Sequence, residues 1–273
     1  HDPGDHNFGS DNREALYRML GKHFFAGDSS FNYQDIPIDD SEIKSEDELA
    51  VPMPAENPTF NSLAIGLSRS LPVGEPPPAD AVNLRRWQSS ARQRLRDLVV
   101  WQEYEAAGEN LQRRHVGNME VVQWKLRLSN RWAIPAVSVT PADATRTVVM
   151  LSDHGRATLS PTIASAAARG RRVLAVDLWG FGEARGDLGE FEPHLLATAG
   201  SRALGVQAGQ LAATAQWAQR QYGEPATIVA QGMRSTTIAL VAAALETAAI
   251  GELQLHDSLD SLRALINRNV LPD

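Results

Sequence analysis

The feature that most constrains this chain is a series of short, wholly apolar segments separated by helical ones through its second half. Residues 147–152 read as a strand, 160–169 as an Ala-rich helix and 172–176 as a strand. A helix over 196–221, a strand over 226–230, a helix over 235–247, a strand over 251–256 and a helical stretch over 258–268 follow. Strands that lack polar alternation are buried on both faces, so helices must cover a mostly parallel sheet from either side. The expected class is α/β.

Upstream the pattern changes. Residues 119–128 and 132–140 alternate like a hairpin joined at Ser129-Asn130, and 81–107 read as one long amphipathic helix with Leu84, Trp87, Leu95, Leu98 and Val99 on one side. Residues 26–80 are rich in Asp, Ser and Pro, hold one short helical pattern over 59–71 and end at Glu75-Pro76-Pro77-Pro78; they read as an extended linker. Residues 1–25 read as a polar loop and a helix capped by Ser10 or Asp11, with Ala15, Leu16, Met19, Leu20 and Phe24 as its stripe. The expected organisation is a tail over 1–25, a linker over 26–80 and a sheet-bearing domain over 81–273. The opening His1-Asp2-Pro3, without a methionine, suggests a chain cut from a longer one.

Composition narrows the function classes. With 26 Lys and Arg against 33 Asp and Glu the net charge is −7, which argues against nucleic acid as a main partner. No run reaches the ~20 apolar residues of a membrane-spanning helix, so no membrane partner is expected. The absence of cysteine excludes a thiol nucleophile and a thiolate metal site. No metal or cofactor is expected.

Four segments bear on chemistry. Around Gln231-Gly232-Met233, a buried strand turns sharply into a small-residue helix, the setting in which a nucleophile elbow, G-x-S-x-G, presents its serine. Here Gly232 stands at the nucleophile position, so the elbow is degenerate. Ser235, in the first turn of the helix, is read either as a cap or as an alternative nucleophile. His154-Gly155, after the strand 147–152, reads equally as an ordinary βα turn or as an oxyanion loop. Gly180-Phe181-Gly182 fails the dinucleotide fingerprint, because Arg185 stands where its third glycine is needed, and reads as a structural loop. Finally, His6 lies in Gly4-Asp5-His6-Asn7-Phe8-Gly9, a loop leading into a helix, as a general-base histidine does.

Together these segments resemble the α/β-hydrolase superfamily, in particular bacterial acetyl xylan esterase-like and dienelactone hydrolase-like proteins with two hydrolase units in tandem. The resemblance rests on Asp5-His6-Asn7-Phe8-Gly9 with Asn12-Arg13-Glu14-Ala15-Leu16-Tyr17, on Glu48-Leu49-Ala50-Val51-Pro52 with Asn57-Pro58-Thr59-Phe60, and on Leu174-Ala175-Val176-Asp177-Leu178-Trp179-Gly180-Phe181-Gly182-Glu183. It implies that His6 is the catalytic histidine of an upstream unit and that 81–273 is a partial second unit. The implied activity is a serine esterase acting on acetylated carbohydrate through an acyl-enzyme. The partners would be that upstream unit, on the same polypeptide or a separate chain, and a carbohydrate ester; a secreted or periplasmic location would follow. The alternative, resting on Gly232, is a non-catalytic binding or scaffold module. Asp257 reads as a cap for 258–268, with Leu259, Leu262 and Leu265 as the buried face.

Overall fold

A computed structural model describes residues 9–37, 39–71, 74, 76–187, 189 and 191–269. The chain divides into two compact units, His1–Thr59 and Phe60–Asp273, so the stretch expected as one linker over 26–80 is shared between them.

In the first unit, α1 (Ser10–Phe24) starts from Gly9 in extended conformation, with no side-chain cap from the expected Ser10 or Asp11. Arg13 donates two hydrogen bonds to the Asp35 carboxylate, at 2.8 and 2.6 Å, and Phe25 stacks on Phe31 at 4.6 Å. Leu16, Met19 and Phe24 of the expected stripe are exposed. A short helix α2 (Glu46–Leu49) is closed by a capping box between Ser45 and Glu48.

The second unit begins with α3 (Phe60–Ser68) and α4 (Ala81–Val99). Asp80 caps α4, and Val100 ends it in left-handed conformation, so the expected helix over 81–107 stops eight residues early. The remainder of that stretch enters an unexpected strand, β1 (Ala106–Val116), followed by β2 (Met119–Leu128) and β3 (Trp132–Pro141). Ser129 and Asn130 join β2 to β3 with φ of 47° and 56°, the twist a tight hairpin requires.

Alternation then proceeds as expected: β4 (Arg146–Ser152), α5 (Ser160–Ala168), β5 (Arg171–Val176), α6 (Phe191–Thr198), α7 (Ala203–Tyr222), β6 (Ala226–Gln231), α8 (Met233–Leu245) and β7 (Ile250–His256). The helix expected over 196–221 is two helices, because Gly200 adopts φ 78° between them. At the far end α9 (Arg263–Asn267) is shorter than expected. Asp257 does not cap it: it lies in a left-handed bend, Leu262 holds the cap position and is exposed, and Ala264 is the buried residue.

The seven strands form one sheet in the order β1-β2-β3-β5-β4-β6-β7. β1, β2 and β3 are antiparallel, β3 meets β5 antiparallel, and β5, β4, β6 and β7 run parallel. The sheet is mixed, with its parallel half covered by helices. The main core brings Leu126, Ile134, Leu174 and Ile228 of the sheet against Leu211 and Ala215 of α7 and Ile238 of α8. The opposite face packs Val148, Met150 and Val173 against Leu159 and Ala166. The C-terminal ends of β5, β4 and β6 lie side by side, where open α/β sheets carry their sites.

Candidate active site

At the end of β6 the chain turns through Gly232, with φ 100° and ψ 159°, directly into α8. That backbone conformation is reached by glycine and strained for any other residue. The amide of Gly232 donates to the carbonyl of His256 at 3.0 Å, fixing the turn against the end of β7. Gln231 is exposed, Gly232 and Met233 half-buried.

The neighbouring strand supplies what the sequence pattern did not reveal. Past the end of β4, the amide of Asp153 donates to the carbonyl of Gln231 at 3.0 Å, which carries the β4–β6 pairing one residue further. The Asp153 carboxylate then accepts from the backbone N–H groups of Arg234 and Ser235, at 3.1 and 2.6 Å. The first amides of a helix have no partner within it and carry the positive end of its dipole, so a carboxylate is well placed there. Asp153 thus caps α8 from another strand.

The same carboxylate fills the space a side chain at position 232 needs. A Cβ there would lie 2.4 Å from the Asp153 carboxyl carbon and 2.5 Å from one of its oxygens. Position 232 therefore has no room for a side chain while Asp153 stays in place.

Ser235 is fully buried, and its hydroxyl has no hydrogen-bond partner among the described residues. Its amide, not its side chain, takes part in the capping, so the expected cap is Asp153 instead. In this geometry the Ser235 hydroxyl is shut away from solvent.

His154 is exposed, and its amide donates to Ser152 Oγ at 3.3 Å; the amide of Gly155 donates to the Ser152 carbonyl at 3.0 Å. Both N–H groups thus bond within the loop's own turn. Gly155 also has φ 82°, and a Cβ on it would meet Gly182 Cα at 2.6 Å, so the two glycines let the loops after β4 and β5 touch backbone to backbone.

Those loops are tied by Asp177, which is 1% exposed. It accepts from the amides of Arg156 (2.6 Å) and Glu183 (3.0 Å) and pairs with the Arg156 guanidinium, which also reaches Glu183 at 2.7 Å. Further along, Trp179 is gripped from α7: its amide donates to Gln210 and its carbonyl accepts from Gln207, both at 2.9 Å. Arg234 lies over the Phe181 ring at 4.4 Å. The glycine-rich segment is thus a braced structural loop.

Two clefts stand apart from these residues. One of about 630 Å³ runs along α4, lined by Arg86, Arg92 and Arg96; one of about 280 Å³ lies where β4, β6 and β7 begin, at the other end of the sheet from the elbow. Among the described residues no cluster of His, Asp and Glu is arranged to hold a metal ion. No helix among them is long and apolar enough to cross a membrane. His6 lies outside the described residues.

A mixed sheet whose parallel half carries a strand–turn–helix elbow at its carboxyl end has a fold of the α/β-hydrolase type. One solved structure supports that fold with a TM-score above 0.5, and two others are similar over a smaller part. A Bacteroides fragilis protein assigned as an acetyl xylan esterase is similar with a TM-score of 0.59 at 15% identity, over 71% of this chain and 59% of that one. Acetyl xylan esterase 1 from Thermoanaerobacterium sp. has a TM-score of 0.46 at 14% identity, over 61% and 56% of the two chains. A cold-adapted esterase from an Arctic intertidal metagenomic library has 0.42 at 20%, over 54% and 64%. The matched part spans about three fifths of these proteins. No protein-family model and no curated protein matches the chain.

Proposed function

We propose that the Phe60–Asp273 unit is a hydrolase-fold module that hydrolyses no ester itself and serves an esterase-type protein as a binding or scaffold part. The observation that carries this reading is the Asp153 carboxylate bound to the first amides of α8 beside Gly232. Acyl transfer through a covalent intermediate needs an atom that can be acylated and N–H donors aimed at the oxyanion. Gly232 offers no such atom, the Ser235 hydroxyl is buried, and two amides of the helix start already hold an anion.

The esterase part of the proposal belongs to the wider protein. The segment around His6 supports a general base for a serine in a preceding unit, with an acetylated carbohydrate as substrate; its support is the likeness of the sequence segments, not a described geometry.

Labelling with a fluorophosphonate serine-hydrolase probe, followed by peptide mapping, tests both parts. The expected result is no label anywhere in residues 60–273. On a longer polypeptide carrying a preceding unit, an upstream serine takes the label and loses it in His6→Ala. Label on Ser235 would overturn the non-catalytic reading. Absence of label from the longer polypeptide would overturn the role of His6 and leave the reading of residues 60–273 intact.

A further inference from the structure

Helix α4 concentrates positive charge in a chain whose net charge is −7. It carries the arginines Arg85, Arg86, Arg92, Arg94 and Arg96 against a single acid, Asp97. Like charges four residues apart, as Arg92 and Arg96 are, oppose helix formation. Among the described residues none of these arginines is in an ion pair, whereas Arg13, Arg113, Arg127 and Arg156 each hold a carboxylate. Asp97 is taken by the Gln93 side-chain amide at 3.0 Å. Glu246, which feels the charge of Arg96, is held by Gln216 and by the amides of Ala248 and Ala249.

Arg86, Arg92 and Arg96 line the cleft of about 630 Å³ together with Ser89, Ser90 and Gln93. From Arg86 to Arg96 the helix rises about 15 Å, so the groove suits an extended ligand. Two of its guanidiniums are steadied from α8. Arg92 donates through Nε to the Ala244 carbonyl at 2.9 Å, and Arg96 through Nη2 to the Leu245 carbonyl at 3.5 Å. A guanidinium fork held in place in this way matches a carboxylate. Between the arginines the lining is hydroxyl and carboxamide. Ser90 Oγ accepts from Arg94 at 2.7 Å and keeps its own O–H to donate, and Gln93 keeps its carbonyl oxygen to accept. Such groups suit a ligand rich in hydroxyls. No aromatic side chain lines the groove for a nucleobase to stack on, and no apolar one lines it to seat the anchors of a peptide. The row lies on one helix and does not depend on what continues the sheet past β7.

We propose that the groove along α4 binds an acidic oligosaccharide, a chain of sugars bearing carboxylates. Arg86, Arg92 and Arg96 take the carboxylates, and Ser89, Ser90 and Gln93 take the hydroxyls between them. The inference deepens the reading of this unit as a binding part of an esterase-type protein and rests on it for the carbohydrate class.

Calorimetric titration of the 273-residue chain with an oligogalacturonate at low salt tests it. The expected result is saturable binding that weakens as salt is raised, with none for a neutral xylo-oligosaccharide of the same length. Arg86 is exposed and bonds to nothing among the described residues, so Arg86→Gln leaves the fold intact. It is expected to weaken binding at least about tenfold, the loss of one charge-assisted hydrogen bond. Arg85→Gln removes the same charge from the same helix outside the groove and is expected to change affinity less than about twofold. No binding of the oligogalacturonate would overturn the proposal. So would equal losses in Arg85→Gln and Arg86→Gln, which would mark a diffuse field and not a site. Tighter binding of an oligoglutamate or a single-stranded DNA of matched charge would also overturn it, assigning the groove to a different class of partner. None of these outcomes alters the fluorophosphonate result, so the non-catalytic reading of residues 60–273 stands or falls separately.

Discussion

Two aspartates occupy equivalent places in this sheet, each the first residue beyond a parallel strand, and they do different work. Asp177, after β5, is buried with its own cation: it pairs with Arg156 and accepts two amides from the loops it joins. Asp153, after β4, is half-buried and accepts from the first amides of α8. A carboxylate with a cation beside it is a fastening within the fold. A carboxylate on a helix N-terminus stands where an anionic ligand or intermediate would be held. The comparison separates a carboxylate fastened by its own cation from one held by the amides of a helix start.

The largest effect is expected on the structural side. Asp177→Ala leaves the Arg156 guanidinium, 12% exposed, with its buried partner removed, and is expected to destabilise by about 3–5 kcal/mol. Urea denaturation read by tryptophan fluorescence measures it, since all six tryptophans lie beyond residue 60. A loss below about 1 kcal/mol would make the two aspartates alike.

Next comes the elbow. Gly232→Ser imposes strained backbone and a contact with Asp153, and is expected to cost about 2–5 kcal/mol without creating fluorophosphonate labelling. Asp153→Ala alone is expected to cost about 1–2 kcal/mol, the range for losing a helix cap. The double variant should be more stable than the sum predicts by about 0.5–3 kcal/mol, because removing the carboxylate makes room for the new side chain. Strict additivity would mean that Asp153 does not set the space at position 232.

Much of the fold was legible because buried parallel strands announce themselves as apolar runs, as the segments that became β4, β5 and β6 did, while β2 and β3 showed as an alternating hairpin. β1 did not: apart from Ala106 its residues are exposed, and Glu109, Arg113 and Arg114 give an edge strand no apolar period. The strand–turn–helix at Gly232 was legible, but the contact of Asp153 with it depends on β4 lying next to β6, a non-local pairing that no local pattern encodes. The available signal was an acid directly between a strand and His154-Gly155, opposite a residue with no side chain. Ser235 shows the same limit. Its hydroxyl looked like a cap or a nucleophile, yet helical phase turns it into the core without a partner. Ser235→Ala is therefore expected to be neutral or stabilising by up to about 1 kcal/mol, in contrast to most buried-polar deletions.

The other end of α8 gives the finest test of what a carboxylate does here. Glu246 follows the helix and accepts from the amides of Ala248 and Ala249, at 2.9 and 3.0 Å, and from the side chain of Gln216. Burial alone would raise its pKa; the hydrogen bonds from Ala249, Gln216 and Ala248, with the nearby charge of Arg96, outweigh that and hold it below the usual glutamate value. A carboxyl whose pKa is lowered by folding stabilises the native state above its unfolded value, and that contribution disappears as pH falls through the folded value. Glu246→Gln is thus expected to be slightly less stable than the parent at neutral pH, with the difference closing in the acid range below the ordinary glutamate pKa. Thermal midpoints of the two proteins across that range test the sign. A difference that persists unchanged at acid pH would show that Glu246 acts by packing and not by its charge, and the contrast between local and cross-strand carboxylates on α8 would lose one of its terms.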